Sequence, residues 1–282
     1  MPWIARGLSE GVVTTRYPRR PDGYGPGFRG VVKLNDTHDT GGVEGAIAVC
    51  PTTAISLEAD RTTLDRGRCI LCGRCTELAP DIFEFDPSFE SSSIQRSQLV
   101  VPDLGDERIS LQATRAELAR RVKGLRRSIH IRHVDAGSDG AEEWEVAALT
   151  NPIYDVQRLG IYFTASPKHA DVLLVTGVGS AGMLAPLCHT FEVMPHPKVV
   201  IAVGVDAVSG GLIGNGYASR GGITGIVPVD VFVPGSPPTP FGILHGILLA
   251  VGLLAPPPAG ELAVTEVADP AHDGPKQTDG VS

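Results

Sequence analysis

Four of the five cysteines in this chain carry the clearest chemical signal. Cys69-Ile-Leu-Cys72-Gly-Arg-Cys75 is a C-x-x-C-x-x-C run, and Cys50 precedes it, followed directly by Pro51. Four thiols can close disulfides, bind zinc or hold an iron–sulfur cluster. Disulfides belong to oxidising compartments, and no stretch here reads as a signal peptide. Zinc frameworks mostly use two separated pairs, and this run is tighter than that, so zinc is the alternative and a [4Fe-4S] cluster the expectation.

The arrangement becomes more specific when laid on C-x-x-C-x-x-C-x-x-x-C-P, the run that two-cluster ferredoxins use twice, each fourth cysteine serving the other run's cluster. With Cys50 as a fourth cysteine, the first three ligands of its run fall on Thr40, Val43 and Ala46. With Cys69 as a first cysteine, the fourth falls on Ala79, just before Pro80. One complete ligand set (Cys50, Cys69, Cys72, Cys75) is all cysteine. The other (Thr40, Val43, Ala46, Ala79) has none. The expectation is one cluster kept and its neighbour erased.

The elements that position these residues are legible in part. Residues 1–38 read as an extended arm, because Tyr17-Pro-Arg-Arg-Pro-Asp-Gly-Tyr-Gly-Pro-Gly-Phe28 has little helix or strand pattern. A small ferredoxin-like α+β unit is expected over 39–90, with Ile55-Ser-Leu and Ile82-Phe-Glu-Phe as short strands. Residues 91–133 read as a linker with a helix over Gln112–Ser128, where Leu111, Leu118, Val122 and Leu125 fall near helical spacing. Arg115, Arg120, Arg121, Lys123, Arg126, Arg127 and Arg132 face one acid, Glu117, so this helix suits either solvent or an anionic partner. Over 134–255, Gly160-Ile-Tyr-Phe-Thr, Asp171–Thr176, Lys198–Val203 and Ile226–Val233 read as buried strands between helix-length segments, an α/β pattern. Phe241–Leu254 reads as the closing helix, and 256–282 as a disordered tail.

Gly177-Val-Gly179-Ser-Ala-Gly182 follows one of those strands and precedes a helical stretch. It matches the dinucleotide fingerprint, with Asp206 at the distance of a ribose-binding acid. A nucleotide-binding oxidoreductase is therefore one alternative. His189, His196 and His245 have no metal-ligand spacing, and Ser180 and Ser209 have no evident base.

Composition bounds the rest. A net charge of −8 argues against general nucleic-acid binding. The longest apolar run, Phe241–Leu254, is 14 residues and includes His245. A bilayer span needs about 20 apolar residues, so membrane contact is expected only through partners.

Several ordered motifs carry a family resemblance. Asn151-Pro-Ile-Tyr-Asp-Val-Gln-Arg-Leu-Gly160 and Ala165-Ser-Pro-Lys-His-Ala-Asp-Val-Leu-Leu-Val-Thr-Gly177 are followed by Met194-Pro-His-Pro-Lys-Val-Val-Ile-Ala-Val-Gly204 and Ser209-Gly-Gly. Val227-Pro-Val-Asp-Val-Phe-Val-Pro-Gly-Ser-Pro-Pro-Thr-Pro240 completes the series. Together they resemble the small subunit of membrane-bound, energy-converting [NiFe]-hydrogenases and the B subunit of complex I. The amino-terminal half, with Thr14-Thr-Arg-Tyr-Pro18, resembles the ferredoxin-type subunit of the same complexes, so the chain looks like a fusion of the two.

The resemblance implies a flavodoxin-like α/β domain with a mainly parallel sheet after the ferredoxin-like domain. It also implies a large catalytic-type subunit and ion-translocating membrane subunits as partners, and a place on the cytoplasmic face of a membrane. In that family the α/β domain holds a [4Fe-4S] cluster on four cysteines. Here the matching positions are Asp139, Glu142, Asp206 and Ser236, and Cys188 lies elsewhere in a helical stretch. The expected function is an electron-transfer or scaffold subunit of a complex I-like or hydrogenase-like oxidoreductase, with no catalytic site of its own. A non-redox assembly subunit of a related complex is the other alternative.

Overall fold

A computed structural model describes residues 3–25, 27–35, 42–58, 61–102, 108–125 and 128–254. Thr40, Arg126, Arg127 and the segment read as a tail lie outside the described residues.

The amino-terminal half contains α1 (Trp3–Glu10), β1 (Val31–Leu34), α2 (Val43–Val49), β2 (Ile55–Glu58), β3 (Arg61–Asp65), α3 (Arg74–Leu78), β4 (Phe83–Asp86) and β5 (Val100–Val101). β1 pairs antiparallel with β4, while β2, β3 and β5 form a second antiparallel sheet. Val32, Ile55, Leu64, Ile82 and Phe83 supply a small apolar core with α2 and α3 against it. The strands after each cysteine stretch lie where the sequence indicates.

The arm expected over 1–38 is different. Val31–Leu34 is a ladder strand of this half, and Tyr17 is 2% exposed, its ring edge-on to Phe89 and Phe241. Its hydroxyl donates to Glu90 at 2.8 Å, and the Arg158 guanidinium holds its carbonyl. Proline- and glycine-rich sequence hides such a segment from pattern reading, because one aromatic anchor has no periodicity. Tyr17→Ala is expected to cost about 3–5 kcal/mol, read as a lower urea midpoint, the usual scale for emptying a buried aromatic site. An unchanged midpoint would mean the segment is not held by its ring.

The linker continues into α4 (Arg108–Val122). The carboxyl-terminal half follows with β6 (Ile129–Asp135), α5 (Ala141–Ala148), β7 (Ile161–Phe163), β8 (Val172–Thr176), α6 (Leu184–Val193), β9 (Val199–Val203), α7 (Gly204–Ser209), β10 (Val231–Val233) and α8 (Pro240–Ala250). Its five strands are all parallel in the order β10-β9-β8-β6-β7. Counted from β6 this is 2-1-3-4-5 read from the other edge, the flavodoxin-like order. β8 and β9 are buried at every position, as strands covered on both faces must be.

The α/β pattern starts earlier than residue 134, since β6 begins at Ile129 and pairs with both β7 and β8. Its alternation of Ile129 and Ile131 with His130 and Arg132 disguises a central strand as a polar linker. The strand read over Ile226–Val233 is shorter, Val231–Val233. α8 starts at Thr239, whose hydroxyl accepts from the Gly242 amide at 3.2 Å, with Pro240 at the first turn, and it is buried all round.

The basic helix α4 turns its apolar side inward: Leu118 and Val122, with Leu125 just beyond the helix, join the core under the parallel sheet. Arg121 pairs with Asp230, whose other oxygen accepts from the Val200 amide at 2.9 Å. Arg120 pairs with Glu117. Arg120 and Arg121 are therefore engaged within the chain. Ser93 of the linker exchanges both backbone hydrogen bonds with Phe232 of β10, at 2.9 and 2.7 Å.

Candidate functional site

Cys50 closes α2, and Cys69, Cys72 and Cys75 run from the turn after β3 into α3. All four line one cavity with Val32, Ile55 and Leu64. The turn that delivers Cys69 is fixed by Asp65, which accepts from the Gly67 amide at 2.9 Å and is gripped bidentately by Arg96 at 2.8 and 2.7 Å. Within the run, Leu71 and Gly73 both take positive φ, +56° and +81°. Two left-handed residues coil the loop so that its three thiols turn to the same cavity.

The cavity suits buried thiolates. The Ala54 amide donates to Cys50 Sγ at 3.2 Å, and a backbone amide at Leu71 serves Cys69. Burial nevertheless pushes the Cys69 thiol up to about 12 and raises that of Cys75. Without positive charge beside them these groups hold their protons at neutral pH. Among the described residues, no group of three or more His, Cys, Asp or Glu side chains is placed to hold a metal ion. A cubane of four irons and four sulfides is a larger body than one ion and holds its thiolates further apart. Four thiols lining one cavity, from buried Cys75 to exposed Cys72, with amides aimed at sulfur, fit such a cubane, which would supply one-electron chemistry.

The positions of the expected erased cluster meet as well. Val43 and Ala46 on α2 and Ala79 after α3 are buried in the same apolar core, and a Cβ on Gly42 would come within 2.8 Å of the Ala79 Cβ. Thr40 lies outside the described residues.

In the α/β half, Asp139, Glu142 and Asp206 converge beyond the carboxyl ends of β6 and β9. Glu142 is 2% exposed, and its Oε2 has no hydrogen-bond partner. Its carboxylate fills the space left by Gly204, where an added Cβ would lie 2.6 Å from Oε1. Burial first, then the charges of Asp206 and Asp139, pushes the Glu142 carboxyl up to about 7. Asp206 is raised too, by burial and by Asp139 and Glu143. Ser236 is exposed, and the carbonyl of its neighbour Gly235 accepts from the Val205 amide at 2.9 Å, which brings that loop beside Asp206.

Sequence reasoning missed Glu143. It accepts from Ser138 at 2.6 Å and from Thr176, and stands 3.7 Å from His133, itself held neutral by burial. Adjacent acids on a helix leave no pattern that tells the inward pair from a solvated one.

Gly177 and Gly179 both have positive φ. A Cβ on Gly177 would lie 2.6 Å from Gly137 and Ser138 backbone atoms, and one on Gly179 would lie 2.5 Å from the Gly222 carbonyl. These glycines admit the chain's own loops, whereas Gly182 has open space around it. Cys188 sits on α6, half-buried, and does not line the four-thiol cavity. His245 is buried in α8 and held neutral, down to about 4.

A ferredoxin-type unit joined to a flavodoxin-like α/β domain, with four thiols gathered in the first, has the make-up of an iron–sulfur protein. The chain belongs to the family of the NADH ubiquinone oxidoreductase 20 kDa subunit, whose model matches residues 140–250. Residues 64–116 match the 4Fe-4S single cluster domain of ferredoxin I, a span that includes Cys69, Cys72 and Cys75. Formate hydrogenlyase subunit 7 of Escherichia coli K12 is 40% identical over 55% of this chain. The chain spans 58% of that relative's length. A probable membrane-bound hydrogenase subunit of Pyrococcus furiosus is 39% identical over 53% of this chain and 89% of its own length. A chain of the archaeal membrane-bound sulfane sulfur reductase is 29% identical, with 47% of this chain and 73% of that one covered and a TM-score of 0.42. Among the described residues, no helix is long and apolar enough to cross a membrane.

Proposed function

We propose that this chain is an electron-transfer subunit of a complex I-like or hydrogenase-like oxidoreductase. It carries one [4Fe-4S] cluster on Cys50, Cys69, Cys72 and Cys75. The observation that carries this reading is the shared cavity: all four thiols line one apolar pocket whose backbone amides are directed at sulfur. The matched single-cluster domain supports a count of one, and so do Val43, Ala46 and Ala79, which pack as apolar core where a second ligand set would stand. In the α/β half, Asp139, Glu142, Asp206 and Ser236 offer oxygen where the family resemblance implies sulfur. Hard oxygen donors do not suit a cluster that thiolates hold.

The proposed partners are a large catalytic-type subunit and ion-translocating membrane subunits, with this chain peripheral on the cytoplasmic face. The relatives with printed roles are subunits of hydrogenlyase and membrane-bound hydrogenase, which supports the class of partner. Anaerobic purification followed by iron and sulfide analysis and EPR of the dithionite-reduced protein tests the count. Expected are about four irons per chain and one S = 1/2 signal. About eight irons, or zinc in place of iron, would overturn it.

A further inference from the structure

The carboxylates of the α/β half are placed in a way that electron transfer does not require. Asp139 is exposed at the mouth of the loop after β6, Asp206 is half-buried on α7, and Glu142 lies at the floor. Three acids thus descend from water to the core. The deepest has one oxygen with no partner, and burying an ionised, unpaired carboxylate is strongly unfavourable.

Among the described residues, the charges that act most on Glu142 are those of acids. Asp206 faces Glu142 from α7, Asp139 from the preceding loop and Glu143 from its own helix, all of them acids. α8, which packs against α5, carries His245 as its one titratable group, and burial keeps that neutral. His133 of β6 stands 3.7 Å from Glu143, and burial lowers its pKa against the pull of Glu143 and Asp135. A metal is a poor substitute, since among the described residues no group of acids is placed to hold one. The economical way to neutralise the floor of this site is a proton.

We propose that Asp139, Glu142 and Asp206 form a proton-binding site in which Glu142 takes up and releases a single proton through Asp206 and Asp139. The reaction is the protonation of one carboxylate oxygen by water-borne H⁺, with no electron moved, so it stands whether or not the cysteines hold a cluster. Gly204 is built into it: its positive φ of +86° and missing Cβ create the slot that the Glu142 carboxyl occupies.

Isotope-edited infrared titration of the full chain between pH 5 and 9 tests this. A protonated-carboxyl band that disappears near neutral pH in the wild type, and is missing in Glu142→Gln, is expected. Asp206→Asn keeps the test independent of that variant's folding: removing a neighbouring negative charge should move the midpoint of the wild-type band to lower pH by several tenths of a unit or more. Absence of a neutral carboxyl above pH 5, or an unmoved midpoint in Asp206→Asn, would overturn the proposal. So would loss of the band on adding millimolar Mg²⁺ or Ca²⁺ at pH 6, which would make the site a cation site.

Discussion

Cys69→Ala is expected to abolish cluster incorporation, leaving purified protein without visible absorbance or iron, while Cys188→Ala keeps both at wild-type level. The contrast follows from where the two thiols sit. Cys69 is delivered to the four-thiol cavity by a turn held by Asp65 and Arg96, and burial drives its thiol up to about 12. Only strong positive charge alongside makes a thiolate acceptable there, and the iron of the proposed cluster would supply it. Cys188 lies on α6 away from that cavity. Three remaining thiols cannot complete a Cys₄ set. Iron content by absorption spectroscopy of matched preparations reads the result. Iron retained in Cys69→Ala and lost in Cys188→Ala would reverse the assignment.

The second large effect is a pH dependence of stability. Glu142 ionises near 7 in the folded chain against an ordinary value of 4.5. The folded state therefore binds the proton more tightly than the unfolded chain, and stability contributed by the neutral carboxyl is complete below about pH 4.5. It is lost as pH rises toward 7, by roughly 3 kcal/mol in all, and is flat beyond. Glu142→Gln keeps the shape and drops the charge. The variant should match the wild type at pH 5 and exceed it at pH 8 by an amount of that order, less whatever the carboxylate gains from neighbouring amides. Denaturant unfolding at the two pH values separates this from a simple packing change, which would shift both equally. Glu142→Gln equally stabilised, or equally destabilised, at pH 5 and pH 8 would sink the argument.

The fold and the site were readable in the sequence to different depths. Val172–Thr176 and Val199–Val203 are unbroken apolar runs, and only a strand covered on both faces explains them at that length. The four cysteines declare themselves by spacing. β6 is the opposite case: its outward His130 and Arg132 break the run, and only its neighbours in the sheet make it central. Tyr17 is invisible for a related reason, since a single anchor is identified by what it lands on. At the carboxylate site, the convergence of Asp139, Glu142 and Asp206 came with the family resemblance. That Glu142 is the buried member depends on the Gly204 slot, and a glycine in the sequence does not say which side chain fills the space it leaves.

The bridge between Ser93 and Phe232 has a consequence for how the two halves depend on each other. An open sheet presents a row of unpaired amides and carbonyls along its outermost strand, and such rows recruit strands from other molecules. β10 is one of the two edge strands here, β7 being the other, and Ser93, in the segment leaving the cluster half, bridges its outer side at Phe232. The segment that leaves the cysteine-bearing half thus acts as a stopper against strand addition at this edge. The α/β half freed of it would bare the β10 margin as well as that of β7, and its first hazard would be self-association rather than unfolding.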